Sequence, residues 1–247
     1  MLSKVKQLFR DEQQFRFFGL LCLTTLFNFA LIGQLLHYLQ FDFTEIQSTQ
    51  DLIKLRGTTT FFFLIWNLFL AWIPYWISLT LDSFYKWSES KTLIGILLFA
   101  WLLFFPNAPY IITDLLHLRN RAPIPHWYDL MLFLSFAWTG LILGLISLYE
   151  VHRFLNQHVS KFVSWCCIVF AIGLSGLGVY IGRVLRWNSW DILTTPMDLF
   201  HDLFYIIINP SAFPESDMIW VIGAFMFLAY LTFINFTPSD FSKRQSI

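Results

Sequence analysis

The 247-residue chain is 57% hydrophobic and 13% charged, with a mean hydropathy of +0.59. That is too apolar for a soluble domain of this size, so the composition points to membrane integration. The formal net charge is zero, which removes the basic excess expected of a nucleic-acid partner.

A basic segment, 1–16, precedes a first apolar run over 17–39. The run is longer than a signal-peptide core and lacks a small-residue cleavage pattern, so it is expected to stay as a span. Five further runs approach the roughly 20 apolar residues that cross a hydrocarbon core. They cover 59–81, 92–105, 128–149, 162–182 and 218–236, and a tail follows over 237–247. The third is short and needs either the residues after Pro106 or a thinned bilayer. Continuous apolarity without alternation implies helices and not a barrel. The expected fold is therefore all-α: one integral membrane domain, 1–247, a polytopic bundle of about six transmembrane helices, with short amphipathic interfacial helices on its outer side.

Lysine and arginine in the flanks set the orientation. With the N-terminus inside, ten of the sixteen basic residues are cytoplasmic, and Lys4, Lys6, Arg10 and Arg16 lead the list. Both termini are therefore expected in the cytoplasm of a cell-membrane protein. The 29 phenylalanines and 11 tryptophans suit lipid contact and interfacial belts. Cys22, Cys166 and Cys167 lie in apolar runs without metal-ligand spacing and read as small packing residues. Gly140 with Gly144, and Gly178 with Gly182, have the GxxxG spacing of close helix packing, a face that also suits a homo-oligomer. Asn28, Gln34 and Asn67 are candidates for hydrogen bonds between helices, and Pro74 for a kink.

The third run ends in "FFPNAPYIITDLLHL", Phe104 to Leu118. Proline disfavours helix in the residue before it, so Phe105 and Ala108 are expected to be extended. Asn107 is placed to cap a new helix that starts near Pro109. At 100° per residue, Tyr110, Thr113, Asp114 and His117 share one arc of that helix. The face either meets water at an interface or forms the wall of a site, where Asp114 and His117 could share a metal or a proton. The loop "RNRAPIPHWYDL" follows, with Asp129 placed to pair with an arginine. Glu150 and His152, at the inner end of the fourth span, read as surface.

In "IGRVLRWNSWD", Arg183, Arg186, Trp187 and Trp190 share a face if the fifth helix continues. Two guanidiniums beside indoles can grip a phosphate or carboxylate, and they also suit interfacial anchoring. Asn188, Ser189 and Asp191 add polar groups that an anchor does not need. In "PMDLFHDLFYIIINP", Asp198, His201, Asp202 and Tyr205 share a second amphipathic face.

The phrases "FPNAPYIITDLLHL" and "GRVLRWNSWD", with "NLFLAWIPY" upstream, resemble a bacterial multi-pass membrane family filed as a domain of unknown function. The resemblance covers about Thr59 to Pro196 and carries Asn67, Pro74, Pro106, Asn107, Pro109 and Tyr110. It also carries Thr113, Asp114, His117, Arg183, Arg186, Trp187, Asn188, Ser189 and Asp191. It implies membrane location and no activity.

These residues suggest an outer-face site with Asp114, His117 and Asp191 as candidate catalytic groups. Asn107, Tyr110, Thr113, Arg183, Arg186, Trp187 and Asn188 are its candidate ligand contacts. The expected partners are membrane lipids and an anionic headgroup or lipid-linked substrate. No GxSxG, HExxH or glycine-rich phosphate loop fixes a reaction, a metal or a cofactor. The alternatives are a small-solute transporter or channel, and a scaffold or assembly partner without a site. Spans drawn without interior charge count against coupled transport.

Overall fold

A computed structural model describes residues 9–39, 56–88, 90–119, 124–187, 194–208 and 214–237. The architecture is all-α. In chain order the helices are α1 (Glu12–Tyr38), α2 (Arg56–Ser88), α3 (Lys91–Phe104) and α4 (Asn107–Tyr110). They continue with α5 (His126–His158), α6 (Lys161–Tyr180), α7 (Pro196–Ile208) and α8 (Asp217–Phe236). A 3-10 turn, Ile111–His117, extends α4, and a π turn, Ile181–Leu185, extends α6. Side-chain caps start three of the helices, with Asp11, Ser90 and Ser160 accepting from backbone N–H groups one turn on.

Six helical stretches are long and apolar enough to cross a membrane, so the chain is a multi-pass integral membrane protein. The third runs from Lys91 to His117 and takes in the residues after Pro106. That is how the short run of the sequence reaches full length. The end of the bundle that carries the start of α1 is called proximal below, and the other end distal.

The axis of the bundle is α5. Its most apolar window is 61% buried, against 11% for α1 and 17% for α8. Two apolar cores share this helix. The distal one joins Leu132, Phe133, Phe136 and Leu143 to α1, α2 and Ile111. The proximal one joins Leu145, Leu148 and Phe154 to α3, α6 and α8. Buried polar groups pair across helices: Asn28 Nδ2 donates to Thr139 at 2.9 Å and Trp101 Nε1 to Ser147 at 2.8 Å. Gln34, by contrast, is exposed. The helix α2 runs through Pro74 without interruption.

Both GxxxG pairs pack against one element, the break after α3. A Cβ on Gly140 would stand 2.8 Å from the Ala108 carbonyl oxygen, and one on Gly144 would stand 3.1 Å from Ala108 Cβ. On the other flank, a Cβ on Gly178 would stand 2.6 Å from the Pro106 ring, and one on Gly182 would stand 3.3 Å from the Tyr110 ring. The segment Pro106–Tyr110 therefore lies in a slot between α5 and α6 that only glycine opens wide enough. This packing overrides the local preference before proline. Phe105 is helical, at φ −55° and ψ −39°, and Ala108 lies within α4. Asn107 does not cap a following helix; its Nδ2 donates at 2.9 Å back to the Phe104 carbonyl, at the end of α3.

Cys166 and Cys167 are exposed on α6 and do not fill packing gaps. Glu150 and His152 are not surface residues, at 3% and 0% exposure. The spans are thus not free of charge, because Asp82, Asp114, Glu150, Arg153 and Arg183 all lie on spanning stretches.

Candidate functional site

After Tyr110 the backbone tightens from α to 3-10 geometry, which stacks residues three apart in one column. Ile111, Asp114 and His117 form the column turned toward the bundle. Leu116 faces away at 67% exposure, while Ile111 is at 0% and Asp114 at 1%. The 3-10 geometry adds Ile111 to the inward side, and of the two alternatives for the polar face it is the bundle and not water that Asp114 meets.

The depth follows from the partners. Ala108 and Ile111 meet α5 at Gly140, about 21 Å along that helix from His126 at 1.5 Å per residue. The His117 ring lies 5.2 Å from Phe63, whose ring in turn meets Phe133, about 10 Å along α5. Asp114 therefore sits inside the distal half of the bundle.

Asn67 of α2 donates from Nδ2 to Asp114 Oδ2 at 2.9 Å. Arg183, from the π turn, reaches Asp114 Oδ1 at 3.5 Å through Nη1. Its Nη2 donates to the Thr113 carbonyl and, at 2.8 Å, to His117 Nδ1. Arginine only donates, so Nδ1 offers its lone pair and the ring proton of His117 sits on Nε2. Arg183 also lies over the Tyr110 ring at 5.6 Å, with Nη1 3.4 Å from the hydroxyl. One guanidinium thus ties Tyr110, Thr113, Asp114 and His117 together. The wider π turn carries Arg183 to this point, and Gly182 leaves room for the Tyr110 ring beneath it.

Arg186 takes another direction. It closes α6 in the left-handed region, at φ 60° and ψ 31°, and the Trp187 N–H returns to the Ile181 carbonyl at 3.2 Å. This is the geometry of a helix C-terminal cap, built on a non-glycine residue. The fifth helix does not continue, so Arg183 and Arg186 do not share a face: Arg183 is turned inward and Arg186 is exposed. Trp187 Nε1 donates to Asp202 of α7 at 3.0 Å, which joins the second amphipathic segment to the end of α6. Asp198, His201 and Tyr205 are exposed. Asp129 is buried in the first turn of α5, at 1% exposure. Asn188, Ser189, Trp190 and Asp191 lie outside the described residues, as does Arg121.

The structure therefore brings together Tyr110, Thr113, Asp114, His117 and Arg183. It leaves Asn107 on the α3 carbonyl and Arg186 apart. Asn67 and Phe63 complete the cluster; Asn67 makes the interhelical hydrogen bond expected of it, to Asp114, and Phe63 had no signal in the sequence. No group of three or more His, Cys, Asp or Glu side chains that could hold a metal ion occurs among the described residues.

A protein-family profile described as "Protein of unknown function (DUF1361)" matches residues 66–236. The chain belongs to this family. The matched region begins at Trp66, one residue before Asn67, and runs through α8, so it includes the last span and α7 and leaves out α1. No curated protein and no solved structure matches the chain.

Proposed function

We propose that this integral membrane protein lies in the cell membrane with both termini cytoplasmic, and that its distal, outward end binds an anionic, lipid-linked headgroup. The observation that carries this reading is the division of labour between the two arginines. Arg183 is spent inside the chain, where it holds the Tyr110–His117 wall in shape. Arg186, three residues on, is exposed and makes no ion pair among the described residues. A left-handed turn holds it next to Trp187, which α7 steadies through Asp202. A guanidinium beside an indole at a membrane interface can meet a phosphate in forked geometry. Asp114 and His117 then form the acid–base pair behind it, a carboxylate and an imidazole bridged by Arg183. Asn188 and Asp191 follow Trp187 in the sequence and are the remaining candidates to complete the site.

The test is lipid retention by the full-length protein in mixed nanodiscs, with phosphatidic acid against phosphatidylcholine, read by native mass spectrometry. Wild type is expected to enrich the phosphomonoester lipid. Arg186→Ala should lower that enrichment by about tenfold, the equivalent of 1.4 kcal/mol, and Arg186→Lys should restore part of it. Equal retention of both lipids by wild type, or an unchanged ratio in Arg186→Ala, would overturn the reading.

A small-solute transporter is the second reading. It is favoured by buried ionisable residues in both halves of the bundle, Asp114 with Arg183 distally and Glu150 with Arg153 proximally. Solute flux into proteoliposomes that is lost in Asp114→Asn would favour it over the lipid site.

A further inference from the structure

The proximal end of the bundle holds a second set of charges that the proposed site does not use. Glu150 of α5 is 3% exposed, and three donors converge on one of its oxygens. Arg153 Nη2 lies 2.7 Å from Oε2, Gln14 Nε2 3.2 Å and Arg10 Nη2 3.4 Å. Oε1 is buried and accepts from no group among the described residues. Asp82 of α2 pairs with Arg10, and Asp11 lies 2.8 Å from Arg153 and 3.5 Å from Arg10. Among the described residues two guanidiniums thus face three carboxylates, so an ionised Glu150 leaves these groups one negative charge in excess. Tyr75 of α2, at 0% exposure, is within electrostatic reach of Glu150, and its hydroxyl is also buried without a hydrogen-bond partner among the described residues. On α5 itself, Tyr149 precedes Glu150 and its ring lies 5.8 Å from the Arg153 guanidinium. His152 turns away to the Tyr230 hydroxyl of α8 at 2.6 Å.

A buried carboxylate with a full charge needs donors at both oxygens, because each bare oxygen keeps its desolvation cost. A carboxylic acid has the asymmetry seen here: one oxygen accepts as a carbonyl, and the other carries a proton that it can donate. We propose that Glu150 binds a proton on Oε1, and that this proton sets the strength of the clamp holding the start of α1 against α2 and α5. The proton comes from a hydronium ion at the proximal face, which leaves as water. Oε2 keeps its three donors as a neutral carbonyl, and the remaining charges balance, two against two. When the proton leaves, the contacts of Arg10 and Arg153 to Glu150, already charge-assisted from the donor side, become ion pairs between opposite full charges and strengthen. The clamp matters for α1 because that helix has the least buried window of the six.

The experiment uses the full-length protein in nanodiscs between about pH 5 and about pH 8. Infrared spectroscopy reads the C=O stretch of protonated carboxyl groups, and hydrogen exchange, corrected for its intrinsic pH dependence, reads the first turn of α1. Wild type is expected to show a carboxyl band that Glu150→Gln removes and Asp114→Asn leaves in place. Exchange in residues 12–16 should rise as the band grows, and stay at the raised level at every pH in Glu150→Gln. If Glu150→Gln does not fold, Asp82→Asn carries the test, since removing the excess charge by another route should diminish the band at a given pH. A wild-type band that is absent throughout, or one that survives Glu150→Gln, would overturn the proposal. So would α1 exchange that ignores pH.

Discussion

Asp114 has each carboxylate oxygen assigned: Oδ2 to Asn67 and Oδ1 to Arg183. A buried charge pair of this kind costs more to break than it contributes when intact, because the surviving partner stays buried and unpaired. Asp114→Ala is therefore expected to destabilise the protein by about 3–5 kcal/mol, read as a loss of monodisperse protein on heating in detergent. Asp114→Asn keeps a carbonyl for Asn67 and should fall between Ala and wild type. Equal melting of all three would mean that the pair contributes nothing to stability. Asn67→Ala removes one hydrogen bond to a charged group and should cost about 1.5–3 kcal/mol. The sequence marked Asp114, His117 and Arg183 as unusual because charge in an apolar chain is unusual. It could not say that Arg183 would be consumed by its neighbours and Arg186 left outside. That outcome depends on a π turn and a left-handed residue, neither of which has a side-chain signature at these positions.

At the scale of elements, the decisive feature is the slot that holds α4. Overpacking such a contact costs about 1–3 kcal/mol. Gly178→Ala puts a methyl group 2.6 Å from the Pro106 ring, and Gly140→Ala puts one 2.8 Å from the Ala108 carbonyl. Both are expected to lower thermal stability by that amount. Gly173→Ala on the same α6 meets nothing within 4 Å and is the control, neutral or slightly stabilising. If all three variants melt alike, the slot is not under steric load. Here the sequence was a good guide to place and a poor one to shape. Two prolines located the break, and the glycine spacing located close packing, yet nothing joined the two observations. The 3-10 period was hidden as well, because 100° and 120° per residue diverge by only 60° over three residues. The inner end of α5 was misread for a different reason. Hydropathy ended the span at Tyr149 because the next residue is acidic, whereas Arg10, Gln14 and Arg153 satisfy Glu150 and let the helix run on to His158.

Across the whole molecule, the count of six spans was legible because five runs are long and apolar enough on their own and the third reaches that length once the residues after Pro106 are included. The sidedness rests on flanking basic residues and has a direct check. With Cys22, Cys166 and Cys167 replaced by serine, a single cysteine at Arg119 lies at the distal end and one at Gln157 at the proximal end; both positions are exposed. A membrane-impermeant maleimide added to intact cells should label the first and not the second. The reverse pattern would invert the proposed topology and put the Arg186 turn in the cytoplasm.

The glycine slot also dictates an order of assembly. Its two walls, α5 and α6, are both synthesised after the segment they enclose, and Arg183 follows Asp114 by a further two spans. A nascent chain that has inserted only its first three spans holds Asp114 with Asn67 as its one partner among the described residues, in a segment with neither wall. The Tyr110–His117 wall is thus completed late, when the fifth span arrives and brings Gly178, Gly182 and Arg183 onto a strip of chain already in the bilayer. Chains that stop short of Gly178 are expected to be poor survivors, recognised by quality control through a carboxylate that has not yet met its arginine.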